Sequence, residues 1–177
     1  MYNWQQSPEF LNAYSDSDWG GDLVSRRSTS GGCILRGEHL IVHRSRTQQV
    51  ISLSSAEAEL HALVKCASEG LAVMNMSLEM YAKLPLRVMT DSTAARGIVQ
   101  RQGVGKVNHL DIQTLWIQER ERIGDLAVLK VPRLLNWSDL LTHHWSEQEA
   151  ELHLKGMSVE RRGHSDGNPG GEKMSGN

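Results

Sequence analysis

The chain has 177 residues, of which 39% are hydrophobic and 23% charged, and its 19 Lys and Arg against 21 Asp and Glu leave a formal charge of −2. That composition suits one ordinary globular domain and excludes two large domains, a fibrous or wholly disordered chain, and a uniformly basic body, so a polyanionic partner has to be met by a local patch. Cys33 and Cys66 are too few for a disulfide scaffold and have no zinc-type spacing, no apolar run approaches the roughly 20 residues of a membrane helix, and MYNWQQSPEF lacks a basic segment followed by an apolar one. A reducing compartment is expected, with neither secretion nor membrane insertion.

Residues 1–8 are weakly patterned and are expected to be poorly ordered. Phe10 to Ser15 reads as a strand that runs into a polar loop at Asp16-Ser17-Asp18. Cys33-Ile34-Leu35 and Leu40-Ile41-Val42 are β-prone arms joined by Arg36-Gly37-Glu38-His39, a hairpin-length link with a glycine in its turn. Val50 to Leu53 reads either as a continuation of the second arm or as a further strand. From Ser55 to about Tyr81, apolar residues at Leu60, Leu63, Val64, Ala67, Leu71, Met74 and Leu78 recur at three and four, predicting one long amphipathic helix that begins at a Ser54–Glu57 capping box. Leu86 to Thr90 is a strand that delivers Asp91. Helices are predicted over Ser92 to Arg101 and Asn108 to Ile123, a strand over Leu126 to Val131, and a last helix starting in Asn136 to Thr142. Strands with interposed helices imply an α/β fold with a mixed parallel and antiparallel sheet over residues 9–150. Residues 151–177 are expected to form a disordered tail, since six glycines after residue 155 leave little surface to bury.

Ligands in such a sheet sit outside the carboxyl ends of the parallel strands. Asp16 and Asp91 each follow a predicted strand, Glu59 lies in the first turns of the long helix, and Asp139 at the start of the last one, so four acids can converge from four elements. Clustered carboxylates repel unless a cation neutralises them, and their hard oxygens suit Mg²⁺ or Mn²⁺. Two such ions about 3.5 to 4 Å apart can drive phosphodiester cleavage. On spacing alone, a helix cap or a solvated surface position is the readier account of each acid taken singly.

Specific segments go further. Ala13-Tyr14-Ser15-Asp16-Ser17-Asp18-Trp19-Gly20-Gly21-Asp22, Arg26-Arg27-Ser28-Thr29-Ser30-Gly31 and Ser52-Leu53-Ser54-Ser55-Ala56-Glu57-Ala58-Glu59 are followed in order by Thr90-Asp91-Ser92-Thr93-Ala94-Ala95, His109-Leu110-Asp111-Ile112, Trp116-Ile117-Gln118-Glu119, Val131-Pro132 and Asn136-Trp137-Ser138-Asp139-Leu140-Leu141-Thr142. Together these resemble the ribonuclease H domain of copia-type retrotransposon Pol polyproteins, over about Ala13 to Thr142. The resemblance implies a ribonuclease H-like fold and a catalytic set of Asp16, Glu59, Asp91 and Asp139 that holds two Mg²⁺ ions, with Mn²⁺ as a substitute. It implies hydrolysis of the RNA strand of an RNA–DNA hybrid during reverse transcription. Within the doublets it selects Asp16 over the loop residue Asp18, and Glu59 over the cap partner Glu57; two residues on a helix differ by about 200°, so both cannot face one site. Asp111 falls outside the metal set.

A hybrid is read by its shape and 2′-hydroxyls. Ser54, Ser55 and Ser92 adjoin the acids and are candidate substrate contacts, with helix capping as the alternative. Arg26, Arg27, Arg36, Arg44 and Arg46 against Glu38 make a local +4 patch, and Arg44 and Arg46 are the candidate phosphate contacts; a solvated hairpin edge explains the same charges. Trp19, Trp116, Trp137 and Trp145 are read as core and rim packing, and the adjacent His143 and His144 as no zinc site. Thr142-His143 stands where the family usually has Thr-Lys. The implied partners are the hybrid and the reverse transcriptase and integrase portions of a parent polyprotein, with no membrane. The implied location is the cytoplasmic retrotransposon particle, with the nucleus as the alternative. An inactive nucleic-acid-binding or connecting module, a transposon relic, is the competing functional expectation.

Overall fold

The computed structural model describes residues 4–80, 82–101, 103 and 111–160. A mixed five-stranded sheet carries the fold, in the order β3-β2-β1-β4-β5. Strands β1 (Leu11–Asp18), β2 (Thr29–Arg36) and β3 (His39–Thr47) form an antiparallel meander, while β4 (Leu86–Thr90) and β5 (Leu126–Lys130) extend β1 in parallel. The β2–β3 turn uses Gly37 at φ +62°, a left-handed conformation that glycine adopts without a Cβ penalty.

Alternation along the strands divides the interior in two. Leu11 and Ala13 of β1, with Leu86 and Val88 of β4, face a core closed by Leu60, Leu63, Ala67 and Val73 of α1 (Ser55–Glu79), Ala95 and Val99 of α2 (Thr93–Gln100) and Ile117 of α3 (Asp111–Arg122). Tyr14 points to the opposite face, where Cys33, Leu35, Trp137, Leu140, Leu154 and Met157 make a second, smaller core. Helix α1 starts where capping was expected: the Ser54 hydroxyl accepts the Glu57 N–H. The return bond differs from a reciprocal box, because the Glu57 carboxylate accepts from the N–H of Leu53.

Four boundaries differ from the sequence reading. Strand β1 does not stop at Ser15, because Thr29, Ser30 and Gly31 pair with Asp18, Ser17 and Asp16, so Asp16 lies inside the strand. Val50 to Leu53 adds no strand: buried Gln48 bonds Ser30, Ser52 and the Ala58 carbonyl, turning the chain directly into α1. The segment Asn136 to Thr142 is not the start of an α-helix. After Pro132 it forms two 3-10 turns, Arg133–Leu135 and Trp137–Leu141, and α4 (Glu147–Gly156) begins only at the Ser146–Glu149 capping box. The ordered domain therefore continues beyond residue 150, because His153, Leu154 and Met157 pack against Trp137 and the second core. At the other end, Gln5 is tied to the hairpin through the Arg36 carbonyl and the Glu38 N–H. Residues 1–3, the Asn108-His109-Leu110 start expected for α3, the Asp111 side chain and the glycine-rich stretch 161–177 lie outside the described residues.

One glycine lets the two sides of the sheet meet. Gly31 stands opposite Asp16, and a Cβ there would lie 2.8 Å from the Ser138 carbonyl oxygen and 2.7 Å from Thr142 Cγ2. Gly97, within α2, has nothing within 4 Å of such a Cβ. Gly31→Ala is expected to destabilise the fold by roughly 1–3 kcal/mol through overpacking, and Gly97→Ala to stabilise it by about 0.5–1 kcal/mol through helix propensity. Thermal or urea unfolding of the two variants checks this, and equal effects at the two positions would contradict the close approach at Gly31.

Candidate active site

Asp16, Glu59 and Asp91 offer oxygen atoms that all lie within 4.8 Å of one another. Each is delivered by a different device. Asp16 sits in β1 and is only 4% exposed, Glu59 is on the second turn of α1, and Asp91 is the first residue after β4. Asp139, 1% exposed, reaches Asp16 from the far side, out of the second 3-10 turn, and forms a second group with Asp16 and His143.

The neighbours fix these acids without neutralising them all. Buried Asn136 donates to the Ser15 carbonyl at 3.1 Å and to Asp91 Oδ1 at 3.4 Å, joining the 3-10 turn to β1 and to the residue that follows β4. Its own Oδ1 accepts the Ser138 hydroxyl at 2.7 Å, so the amide cannot turn freely. The Thr142 hydroxyl donates to Asp16, Arg133 Nε donates to Asp139 Oδ2 at 3.2 Å, and Trp145 Nε1 holds the Asp139 carbonyl at 2.9 Å. Glu59 Oε2 and Asp139 Oδ1 are buried and, among the described residues, have no hydrogen-bond partner.

Electrostatics follow from that arrangement. Burial lifts Asp16 from its ordinary 3.8 to about 6, with the Asp139 and Asp91 carboxylates adding to the rise and the Thr142 hydroxyl opposing it. Burial likewise lifts Glu59 from 4.5 to about 8, reinforced by the charges of Asp16 and Asp91. Carboxylates raised in this way are stabilised by protonation, and would be stabilised equally by a neutralising cation.

The remaining candidates separate into different places. Asp18 is the last residue of β1 and accepts the Thr29 N–H, which gives it a strand-pairing role outside the cluster. Glu57 is spent on the helix start, two residues before Glu59. Ser54 and Ser92 cap α1 and α2, and Ser55 is exposed at the first position of α1. Arg44 is folded inward against Glu69 at 2.9 Å, whereas Arg46 is exposed. Arg44, Arg46, His61 and Lys65 line a groove of about 420 Å³ along β3 and α1, on the helix that carries Glu59.

The sequence reading gave no role to Arg133 or His143, and Asn136 entered it only as the head of a motif. His143 Nε2 lies 3.3 Å from Asp139 Oδ1 and 3.8 Å from Asp16 Oδ2. The available signal was spacing: positions 136, 139, 142 and 143 return to one side of a tight helical turn.

No family model matches the chain. It is 29% identical over 135 residues, 75% of its length, to the retrovirus-related Pol polyprotein from transposon RE1 of Arabidopsis thaliana. It is 28% identical over 148 residues, 82% of its length, to that from transposon TNT 1-94 of Nicotiana tabacum. The chain spans only 9% and 11% of those two proteins. Among solved structures, LC11-RNase H1, isolated from compost by a metagenomic approach, superposes with a TM-score of 0.54 at 20% identity, covering 76% of this chain and 93% of that one. The same protein in complex with an RNA/DNA hybrid gives a TM-score of 0.51 at 20% identity, covering 75% and 93%. The N-terminal RNase H domain of rv2228c from Mycobacterium tuberculosis gives 0.52 at 15% identity, covering 82% and 96%. With this sheet order and these similarities, the chain has the ribonuclease H fold and is similar in sequence, over three quarters or more of its length, to retrovirus-related Pol polyproteins from transposons.

Proposed function

We propose that the chain is a divalent-cation-dependent endonuclease that hydrolyses the RNA strand of RNA–DNA hybrids, leaving 3′-hydroxyl and 5′-phosphate ends, within the reverse transcription of a retrotransposon. The observation that carries this reading is the convergence of Asp16, Glu59, Asp91 and Asp139 from four elements, with Glu59 Oε2 and Asp139 Oδ1 buried and making no hydrogen bond among the described residues. Hard, mutually repelling oxygen donors of this kind fit Mg²⁺, with Mn²⁺ as a substitute. Asp16, Glu59 and Asp91 would hold one ion, and Asp16 and Asp139 a second. Bound there, the cations supply Lewis acidity that activates water and stabilises charge on the leaving oxygen.

The chain's own residues supply the positioning. Asn136 holds Asp91 and the Ser15 backbone in one frame, and Arg133 holds Asp139 by its Oδ2, leaving Oδ1 on the side of His143. Exposed Arg46 and Lys65, along the groove beside α1, offer charge to a phosphate backbone in a protein whose net charge is negative. A solved structure of similar fold was determined with an RNA/DNA hybrid, which supports the same substrate class here. The relatives' names support a Pol polyprotein as the setting; the reading adds the reverse transcriptase and integrase portions as partners and the cytoplasmic particle or the nucleus as the location. No helix among the described residues is long and apolar enough to cross a membrane.

Two outcomes are expected. The 177-residue chain should cleave the RNA of an end-labelled hybrid with Mg²⁺ or Mn²⁺, lose that activity in EDTA, and lose at least about 10²-fold of it in Asp91→Asn. A folded protein that binds hybrid but leaves it intact with either metal would instead identify a non-catalytic module. The second outcome concerns stability. Because Asp16 and Glu59 titrate higher in the folded chain than in the unfolded one, the folded state retains protons that the unfolded state releases, and their contribution to stability falls as pH rises from about 4 to about 8. In EDTA, Glu59→Gln should match the wild type near pH 5 and exceed its stability near pH 8 by about 1–3 kcal/mol. A difference that does not change with pH would contradict the electrostatics of the cluster.

A further inference from the structure

His143 is not explained by packing. It is 38% exposed at the side chain, follows the 3-10 turn, and directs Nε2 at two acids from different elements, Asp139 Oδ1 at 3.3 Å and Asp16 Oδ2 at 3.8 Å. Asp139 is 1% exposed, its Oδ2 is occupied by Arg133, and its Oδ1 is buried and lacks a hydrogen bond. The three residues each offer a ligand atom within 4.8 Å of the other two, with Asp16 Oδ2 also accepting the Thr142 hydroxyl. Atoms bound to a common cation at about 2.1 Å stand about 3.0 to 3.4 Å apart. The His143–Asp139 separation already meets that spacing, and the His143–Asp16 separation meets it after a shift of under about 1 Å in a half-exposed ring.

We propose that His143 is a nitrogen ligand in the second of the two cation positions, making that position an imidazole-dicarboxylate site that prefers Mn²⁺ over Mg²⁺. The inference rests on the cation-dependent reading above and adds metal selectivity to it. Imidazole suits borderline transition ions, whereas Mg²⁺ keeps oxygen donors and several waters, so one nitrogen in place of a third oxygen shifts the balance towards Mn²⁺. Arg133 assists by leaving Asp139 a single free oxygen, which makes His143 the neighbour able to complete the set on that side.

The test uses the 177-residue chain, MnCl₂ and MgCl₂, with no nucleic acid present. Pulsed electron paramagnetic resonance of bound Mn²⁺ should show ¹⁴N modulation in the wild type that disappears in His143→Ala. Calorimetry should show Mn²⁺ affinity in the variant weakened by roughly tenfold, with Mg²⁺ affinity changed less than about twofold. Circular dichroism confirms that the variant is folded, and the wild-type nitrogen signal is readable even without it. Mn²⁺ bound with no nitrogen modulation, or with the same modulation in His143→Ala, would overturn the role of His143 while leaving a carboxylate cation site and the cleavage assay unaffected. A wild type that binds no Mn²⁺ at millimolar concentration would overturn this inference together with the reading on which it rests.

Discussion

Repulsion among four carboxylates is the constraint around which this molecule is built. Asp16 and Asp139 are almost fully buried, Glu59 is mostly so, and Asp91 sits at the same sheet end, so burial and the neighbouring charges push Asp16 and Glu59 above the ordinary carboxylate range. In a free chain these groups would separate and hydrate. Folding holds them together because their backbones belong to a sheet and a helix whose stability comes from elsewhere, chiefly the apolar face of α1 against β1 and β4.

The second core has the complementary task of bringing Asp139 to the other three. The turn that carries Asp139 lies over β2 at Gly31, where a side chain would collide with it, and is held on the far side by Trp137, Leu154 and Met157. Helix α4 thus belongs to the site although it contributes no ligand. His153 is buried between Trp137 and Trp145, and Trp145 in turn bonds the Asp139 carbonyl. Asn136 closes the frame by spanning from that turn to β1 and Asp91. Hydrogen bonds from a buried amide suit this purpose, since an unmade bond there costs about 1–3 kcal/mol and disfavours any looser arrangement.

Much of this was legible in the sequence where periodicity is strong. The long helix, the hairpin and the parallel strands with their interposed helices follow from spacing, and the colinear motifs pointed to Asp16, Glu59, Asp91 and Asp139, which the structure brings to one end of the sheet. What escaped depends on pairing and packing between distant segments. Asp16 read as a loop residue because its polar neighbours hide a strand that exists through pairing with Thr29 to Gly31. The second half of α4, from residue 151, read as tail because its few apolar residues gain their burial from Trp137 and β2, more than a hundred residues earlier in the case of β2. Arg44 read as a free phosphate contact because nothing local announces its pairing with Glu69 of α1. Local spacing puts His143 on the side of Asp139, but its approach to Asp16, 127 positions away, comes from tertiary packing.

The central claim is that the raised carboxylates form a cation site, exchanging protons for metal. Calorimetric titration of Mg²⁺ into the 177-residue chain at pH 7, repeated in buffers of different ionisation enthalpy, measures both events in one experiment. Glu59, lifted to about 8, is largely protonated at that pH and must ionise to coordinate, so binding should release about one proton, and release should fade above pH 9. Binding without proton release at pH 7, or no binding at millimolar Mg²⁺, would contradict it.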